Sequence, residues 1–265
     1  MDVLIIGCGW VGTYTASRLL ADGHRVWGTT TSPDKMSKLT KMGVSAVLAN
    51  FDGEEQTLPP AELIRVRFDL VIISVPITRK DTAGQVHARF ANLLRFMAAL
   101  QFNQSVFFGS VGIYPKVNAT IAEHTFPETA LEPNLWWGES VLRAQYSDIN
   151  VLRLGGLFGL ERTISKHFSD KVCHIGYQPA NFVHVEDIFG VIQALIAQQV
   201  QGQTYNVVSP EHPLKKEVIA VSAAKYGYGL PSSYTDADKT AKIVSPARVI
   251  DDLGYAFIYR SPLEF

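Results

Sequence analysis

The chain has 265 residues, 47% of them hydrophobic, with a formal net charge of −1, enough to bury a full core as one domain with a small appendage. The near-neutral balance argues against nucleic-acid or polybasic membrane partners, and the apolar runs fall short of the roughly 20 residues of a membrane-spanning helix. No basic stretch leads into a longer apolar one, and two cysteines, Cys8 and Cys173, form neither a disulfide framework nor a metal-like spacing, so a cytoplasmic protein without a metal is the simplest expectation.

Residues 3–6 are apolar and meet Gly7-Cys8-Gly9-Trp10-Val11-Gly12, after which helix-forming residues continue to about Asp22. This order is that of a strand, a Gly-rich turn and a helix holding a dinucleotide. Gly7 turns the strand sharply, Gly9 admits a pyrophosphate, and Gly12 lets helix and strand pack closely. The helix N-terminus faces the phosphates with N–H groups and a partial positive charge. It also favours a thiolate at Cys8, against which stands the plainer reading of a small turn residue.

Residues 24–29 read as the second strand. An NAD site usually ends this strand with a carboxylate on the ribose; here stand Thr29, Thr30, Thr31 and Ser32, with Lys35 close behind. Hydroxyls and a lysine suit a 2′-phosphate, which favours NADP over NAD; the alternative puts Lys35 on an exposed helix face with Lys38 and Lys41. Residues 43–49 form a third strand ending near Asp52, whose carboxylate is placed to meet the adenine. After a short helix at 61–67, residues 69–75 are continuously apolar, as in a central parallel strand, and Pro76 is expected to end it. Apolar residues at 86, 90, 93, 94, 97 and 100 space a long helix, and residues 105–108 give a fifth strand. The later half adds a helix at 136–146, a strand at 151–154, a helix at 186–198, a strand at 204–208 and helices at 215–226 and 245–253. The alternation predicts an α/β, Rossmann-type doubly wound parallel sheet, with a small C-terminal substrate-side cap. Within a single domain of residues 1–265, residues 1–154 are mainly the dinucleotide core; residues 155–265 complete the sheet and form the cap.

Several further segments carry a family resemblance: Ser110-Val111-Gly112-Ile113-Tyr114, Leu152-Arg153-Leu154, Asn181-Phe182-Val183-His184-Val185-Glu186-Asp187 and Tyr205-Asn206-Val207. With the Gly loop and Asp52, these resemble the extended short-chain dehydrogenase/reductase group, the NAD(P)-dependent epimerase/dehydratase-like proteins, over nearly the whole length. The resemblance implies that Ser74, Val75 and Pro76 run along the nicotinamide half, that Ser110 holds a substrate oxygen, and that Tyr114 and His184 are mainly structural. It also implies a homodimer formed through the helices at 85–100 and 136–146.

The chain departs from the family at its acid–base pair. Family enzymes carry Tyr-x-x-x-Lys on one helix face. Here Trp137 stands at the tyrosine and Val141 at the lysine, and an indole cannot act as a base. Glu139 is a substitute only if desolvated; the plainer expectation is a solvated helix face. Trp136 and Trp137 either pack a core or close the space of a sugar-like substrate. Two functions therefore stay open: an oxidoreductase or epimerase-type enzyme on a small carbonyl or hydroxyl compound, or a non-catalytic NADP(H)-binding redox-sensing or regulatory module with no substrate.

Overall fold

A computed structural model of the chain describes residues 1–53 and 57–264. Seven strands, β1 (Asp2–Ile6), β2 (Arg25–Thr30), β3 (Ser45–Leu48), β4 (Arg67–Ile73), β5 (Gln101–Ser110), β6 (Asn150–Leu154) and β7 (Thr204–Val207), form one sheet of order β7-β6-β5-β4-β1-β2-β3. β1 pairs in parallel with β2 and β4, β2 with β3, and β4 with β5. The expected α/β doubly wound sheet is therefore observed. Strand order reverses beside β1, and an open α/β sheet binds its ligand at such a switch point, beyond the strands' carboxyl ends. Val3, Leu4, Ile5 and Ile6 on β1 are fully buried beside Val71, Ile72 and Ile73 on β4, which explains why both strands read as unbroken apolar runs.

The helices are α1 (Trp10–Ala21), α2 (Pro33–Lys41), α3 (Ala61–Ile64), α4 (Ala83–Ala98), α5 (Pro133–Gln145), α6 (Val185–Ala197), α7 (Lys215–Tyr226) and α8 (Ala247–Leu253). Their starts follow local chemistry. Ser32 caps α2 by accepting from the Lys35 amide, with Pro33 in the first turn, and Thr82 with Gln85 forms a capping box at α4. Among the described residues no helix is long and apolar enough to cross a membrane.

Boundaries shift where backbone contacts override pattern. β4 stops at Ile73, before Pro76, although the Ser74 amide still donates to the Ile6 carbonyl at 2.8 Å, and a Cβ on Gly7 would lie 2.9 Å from the Ser74 carbonyl. β5 begins earlier than its apolar run because residues 101–104 pair with β4, Phe102 lying opposite Phe68.

Two compact units divide the chain. The first comprises Met1–Gly109, Pro133–Leu152 and Val200–Gln203, the second Ser110–Glu132, Arg153–Gln199 and Thr204–Phe265. In the first, Leu4, Ile6, Val71 and Ile73 pack with Val86, Phe90, Leu93 and Met97 of α4 and Leu142 of α5; each such buried side chain contributes roughly 2 kcal/mol. In the second, three short parallel pairs join Gly156–Phe158 to Phe182–His184, Val172–Cys173 to Ser233–Tyr234, and Thr120–Ile121 to Ile243–Val244. Strands of two or three residues are too short to show periodicity.

Candidate functional site

The glycine loop is held from below and open above. Gly7 has φ +94°, and its amide donates to Thr29 Oγ1 at 2.9 Å while the Cys8 amide donates to the Thr29 carbonyl at 2.7 Å. A Cβ on Gly12 would sit 2.8 Å from the Gly7 carbonyl, so helix and strand are in the close contact expected of that glycine. A Cβ on Gly9 would meet nothing nearer than 4.0 Å, which leaves the loop bare where a phosphate would approach. The first bond of α1 runs from Thr13 N to Gly9 O, so the amides of Val11 and Gly12 precede it at the positive end of the helix. The loop thus fits a dinucleotide's pyrophosphate.

One expectation for this loop changes, at Thr29, and at Cys8 the plainer of the two readings holds. Thr29 is 1% exposed and its hydroxyl is engaged by Gly7, so it braces the loop rather than facing a ligand. Cys8 is 2% exposed, with its sulfur against Gly28. Burial pushes its thiol up to about 12, with the Lys35 charge pulling the other way, so the helix terminus does not yield a thiolate. Beyond β2, Thr30 Oγ1 accepts from the Ser32 amide at 3.3 Å. Thr31 is exposed and Lys35 half-buried, whereas Lys38 and Lys41 are exposed; Asp34 lies in the first turn of α2.

Asp52, after β3, is not a lone carboxylate. It is bridged by Arg89 of α4, which also donates to the Pro76 carbonyl at 2.8 Å and to both oxygens of Asp81 at 3.0 and 3.1 Å. The guanidinium holds the Asp81 carboxyl down at about 2. Val75 is buried and Pro76 exposed, next to the half-buried Ser74.

On α5, Trp137 and Val141, expected at the family's tyrosine and lysine positions, are half-buried and pack against the first unit's core. Trp137 stacks on His87 with ring centres 4.0 Å apart and meets Phe90 edge-on, and Val141 packs against the same cluster. Of the two uses left open for the tryptophans, Trp137 serves the core. Glu139 is 1% exposed; the expected solvated helix face is overturned because this side of α5 turns inward beside Gly138, where a Cβ would strike Ile77.

The second unit gathers the remaining segments. Ser110 caps the turn Val111–Ile113, its Oγ accepting from the Gly112 amide at 3.0 Å. Lys242 Nζ donates to the Val111 and Tyr114 carbonyls of that turn, each at 3.3 Å. Tyr114 donates to Asn206 Oδ1 at 2.6 Å and accepts from Arg153 Nη1 at 2.8 Å, while the Asn206 amide donates to buried Glu123 at 2.7 Å. Burial raises the Tyr114 phenol, so it stays neutral. Asn181 clasps the 242–244 segment from both edges, accepting from Val244 N and donating to Lys242 O. His184 caps α6 by accepting from Glu186 N at 3.3 Å and stacks on Tyr259 at 3.5 Å between ring centres. Asp187 accepts from Tyr255 Oη and from the amides of Ile258 and Tyr259. Tyr114, Asn181, His184 and Asp187 are thus knots of a hydrogen-bonded scaffold.

The Gly loop, Thr29 and Ser74 are brought together, and Asp52 is joined to Pro76 through Arg89. Glu139 lies in the first unit and Ser110 in the second. The sequence reading missed Arg89, Glu123 and Lys242. Only Arg89 left a signal, a charge on the inward stripe of α4.

The family model of ketopantoate reductase PanE/ApbA matches residues 3–92, from β1 into α4. Over 269 aligned positions the chain is 26% identical to Protein YeeZ of Escherichia coli (strain K12), covering 98% of this chain and 97% of that protein. A functionally unknown conserved protein from Silicibacter pomeroyi DSS is 25% identical with a TM-score of 0.77, over 99% of this chain and 95% of that one. The UDP-glucuronic acid 4-epimerase from Bacillus cereus, solved with NAD, is 15% identical with a TM-score of 0.77, over 100% and 95% of the two chains; it speaks for the fold alone.

Proposed function

We propose, from the premise that this chain has the extended short-chain dehydrogenase/reductase-like fold, that it binds a nicotinamide dinucleotide across Gly7, Cys8, Gly9, Trp10, Val11 and Gly12. The observation that carries this is the glycine cradle: Gly7 and Gly12 have no room for a side chain, while Gly9 is bare and open. Thr30, Thr31, Ser32 and Lys35, with no carboxylate ending β2, favour NADP. When bound, the dinucleotide supplies hydride exchange. In this reading Ser110 and residues 153–166 hold a small carbonyl or hydroxyl substrate. Without a Tyr/Lys pair the proton comes from water or from the substrate itself, and a positioned acid or base is typically worth about 10² to 10⁴ in rate, so turnover is slow. Glu139 is the acidic side chain nearest in sequence to the vanished tyrosine, and it is buried. The reading includes a cytoplasmic location and a homodimer through α4 and α5.

A second reading is favoured by Trp137 and Val141, which lie against a hydrophobic core: a module that binds NADP(H) without chemistry and reports redox poise to a partner. Titration of the protein with NADPH and NADH, followed by tryptophan quenching, tests the common premise. Tight binding with NADPH preferred is expected, and binding of neither defeats both readings. Oxidation of NADPH across a panel of carbonyl compounds separates them: turnover supports the enzyme, and silence across the panel with tight binding supports the module.

A further inference from the structure

The strands Thr120–Ile121 and Ile243–Val244 run parallel, so the chain leaves both at the same end. From the first it enters residues 122–125, a turn closed by Thr125 Oγ1 accepting from the Ala122 amide at 2.8 Å; from the second it enters α8. An open cleft of about 510 Å³ lies between these two continuations, within the roughly 300–1,000 Å³ of small-molecule sites. Its lining residues all belong to the second unit, whereas the glycine loop belongs to the first.

Both walls are tied to the edge strand β7. The Asn206 amide donates to Glu123 Oε1 at 2.7 Å, and Arg248 Nη1 donates to the Thr204 carbonyl at 3.0 Å. The charges around the cleft do not balance. Arg248 Nε pairs with Asp252 at 3.1 Å, which leaves Glu123 and Asp251. Asp251, three positions after Arg248 on the same helix face, is exposed and has no ion-pair or hydrogen-bond partner among the described residues. Glu123 lines the cleft and is 6% exposed. Asn206 takes its Oε1, and among the described residues nothing donates to Oε2; Arg153 Nη1 donates to the Glu123 backbone carbonyl, at 3.2 Å. A buried carboxylate without a counter-charge is destabilising, so the cleft calls for a cation. No group of three or more His, Cys, Asp or Glu side chains among the described residues could hold a metal ion. The cation that fits is therefore organic, and Ala122 and Ala247 offer methyl groups to its carbon chain.

We infer that this cleft binds a small aliphatic diamine or polyamine, one ammonium donating to Glu123 Oε2 and a second to Asp251, with the carbon chain along Ala122 and Ala247. Hydrogen bonds between two charged groups are the strong ones, and losing one corresponds to roughly tenfold or more in affinity. The site draws on no residue of the dinucleotide reading and stands whether or not a dinucleotide binds.

Isothermal titration calorimetry of the full chain with putrescine and with butylamine is the test. The proteins are wild type, Glu123→Gln, Asp251→Asn and the control Glu62→Gln, which alters an exposed glutamate of the first unit; thermal unfolding checks each fold. The expected result is one putrescine per chain and butylamine weaker by roughly tenfold or more. Putrescine should weaken by a similar factor in Glu123→Gln and in Asp251→Asn and keep its affinity in Glu62→Gln. Glu123→Gln keeps an acceptor for the Asn206 amide; should it unfold, Asp251→Asn, at an exposed side chain, decides alone. Four results overturn the inference: no saturable binding, butylamine bound as tightly as putrescine, affinity retained in Asp251→Asn or in folded Glu123→Gln, or an equal loss in Glu62→Gln, which would mark a general attraction to surface charge.

Discussion

Replacing His184 with Asn should flatten the acid side of the protein's stability profile. Burial lowers the His184 pKa from 6.5 to about 4, with Glu186 opposing that shift and Lys225 adding to it; the ring is 4% exposed. Its Nδ1 accepts from the Glu186 amide, so protonation would remove the cap of α6. The folded protein thus resists a proton that the unfolded chain takes up near pH 6.5. Stability is complete above that value and declines as pH falls towards 4. One pKa unit corresponds to about 1.36 kcal/mol, so the loss reaches about 2 kcal/mol by pH 5 and about 3 kcal/mol by pH 4. Asn retains an acceptor favoured at helix starts and does not titrate. It loses the stacking on Tyr259, a constant offset that leaves the slope alone. Asp187, whose carboxyl burial pushes up, titrates with the opposite sign in both proteins and cancels. Urea denaturation at pH 7 and pH 5 reads the difference: wild type should lose about 2 kcal/mol more than His184→Asn. Equal losses would refute a neutral, buried cap.

Gly12→Ala should lower dinucleotide affinity and the unfolding temperature together, since the new methyl would lie 2.8 Å from the Gly7 carbonyl and 3.1 Å from Ile5; an unchanged titration and melting curve would contradict the close packing. Cys8 should resist iodoacetamide at pH 8 in the folded protein and react once urea exposes it, because burial holds the thiol protonated; mass mapping of the labelled peptide is the check.

The sheet was legible because β1 and β4 are buried on both faces and leave unbroken apolar runs, and α4 because its apolar residues recur at helical spacing along one buried stripe. The glycine loop was legible because each glycine answers a backbone demand that other residues meet badly. What stayed hidden was long-range pairing of polar groups. Nothing local to Asp52 announces Arg89, 37 positions away, and Thr29 looks like a ligand hydroxyl until Gly7 is seen to claim it. Glu139 was expected in water since a charged residue on a helix usually faces it; its burial follows from which side of α5 turns inward beside Gly138, and no single residue states that.

Trp137 has a consequence for re-engineering the helix. Its indole packs between α5 and α4, so replacing it with tyrosine would cost stability. The smaller ring gives up contact with His87 and Phe90, at a cost of roughly 1–3 kcal/mol typical of such core changes, and lysine in place of Val141 sets an ammonium against an apolar cluster. Each substitution weakens the fold by itself, so the packing of α5 sets a stability threshold for placing a Tyr/Lys pair on this helix.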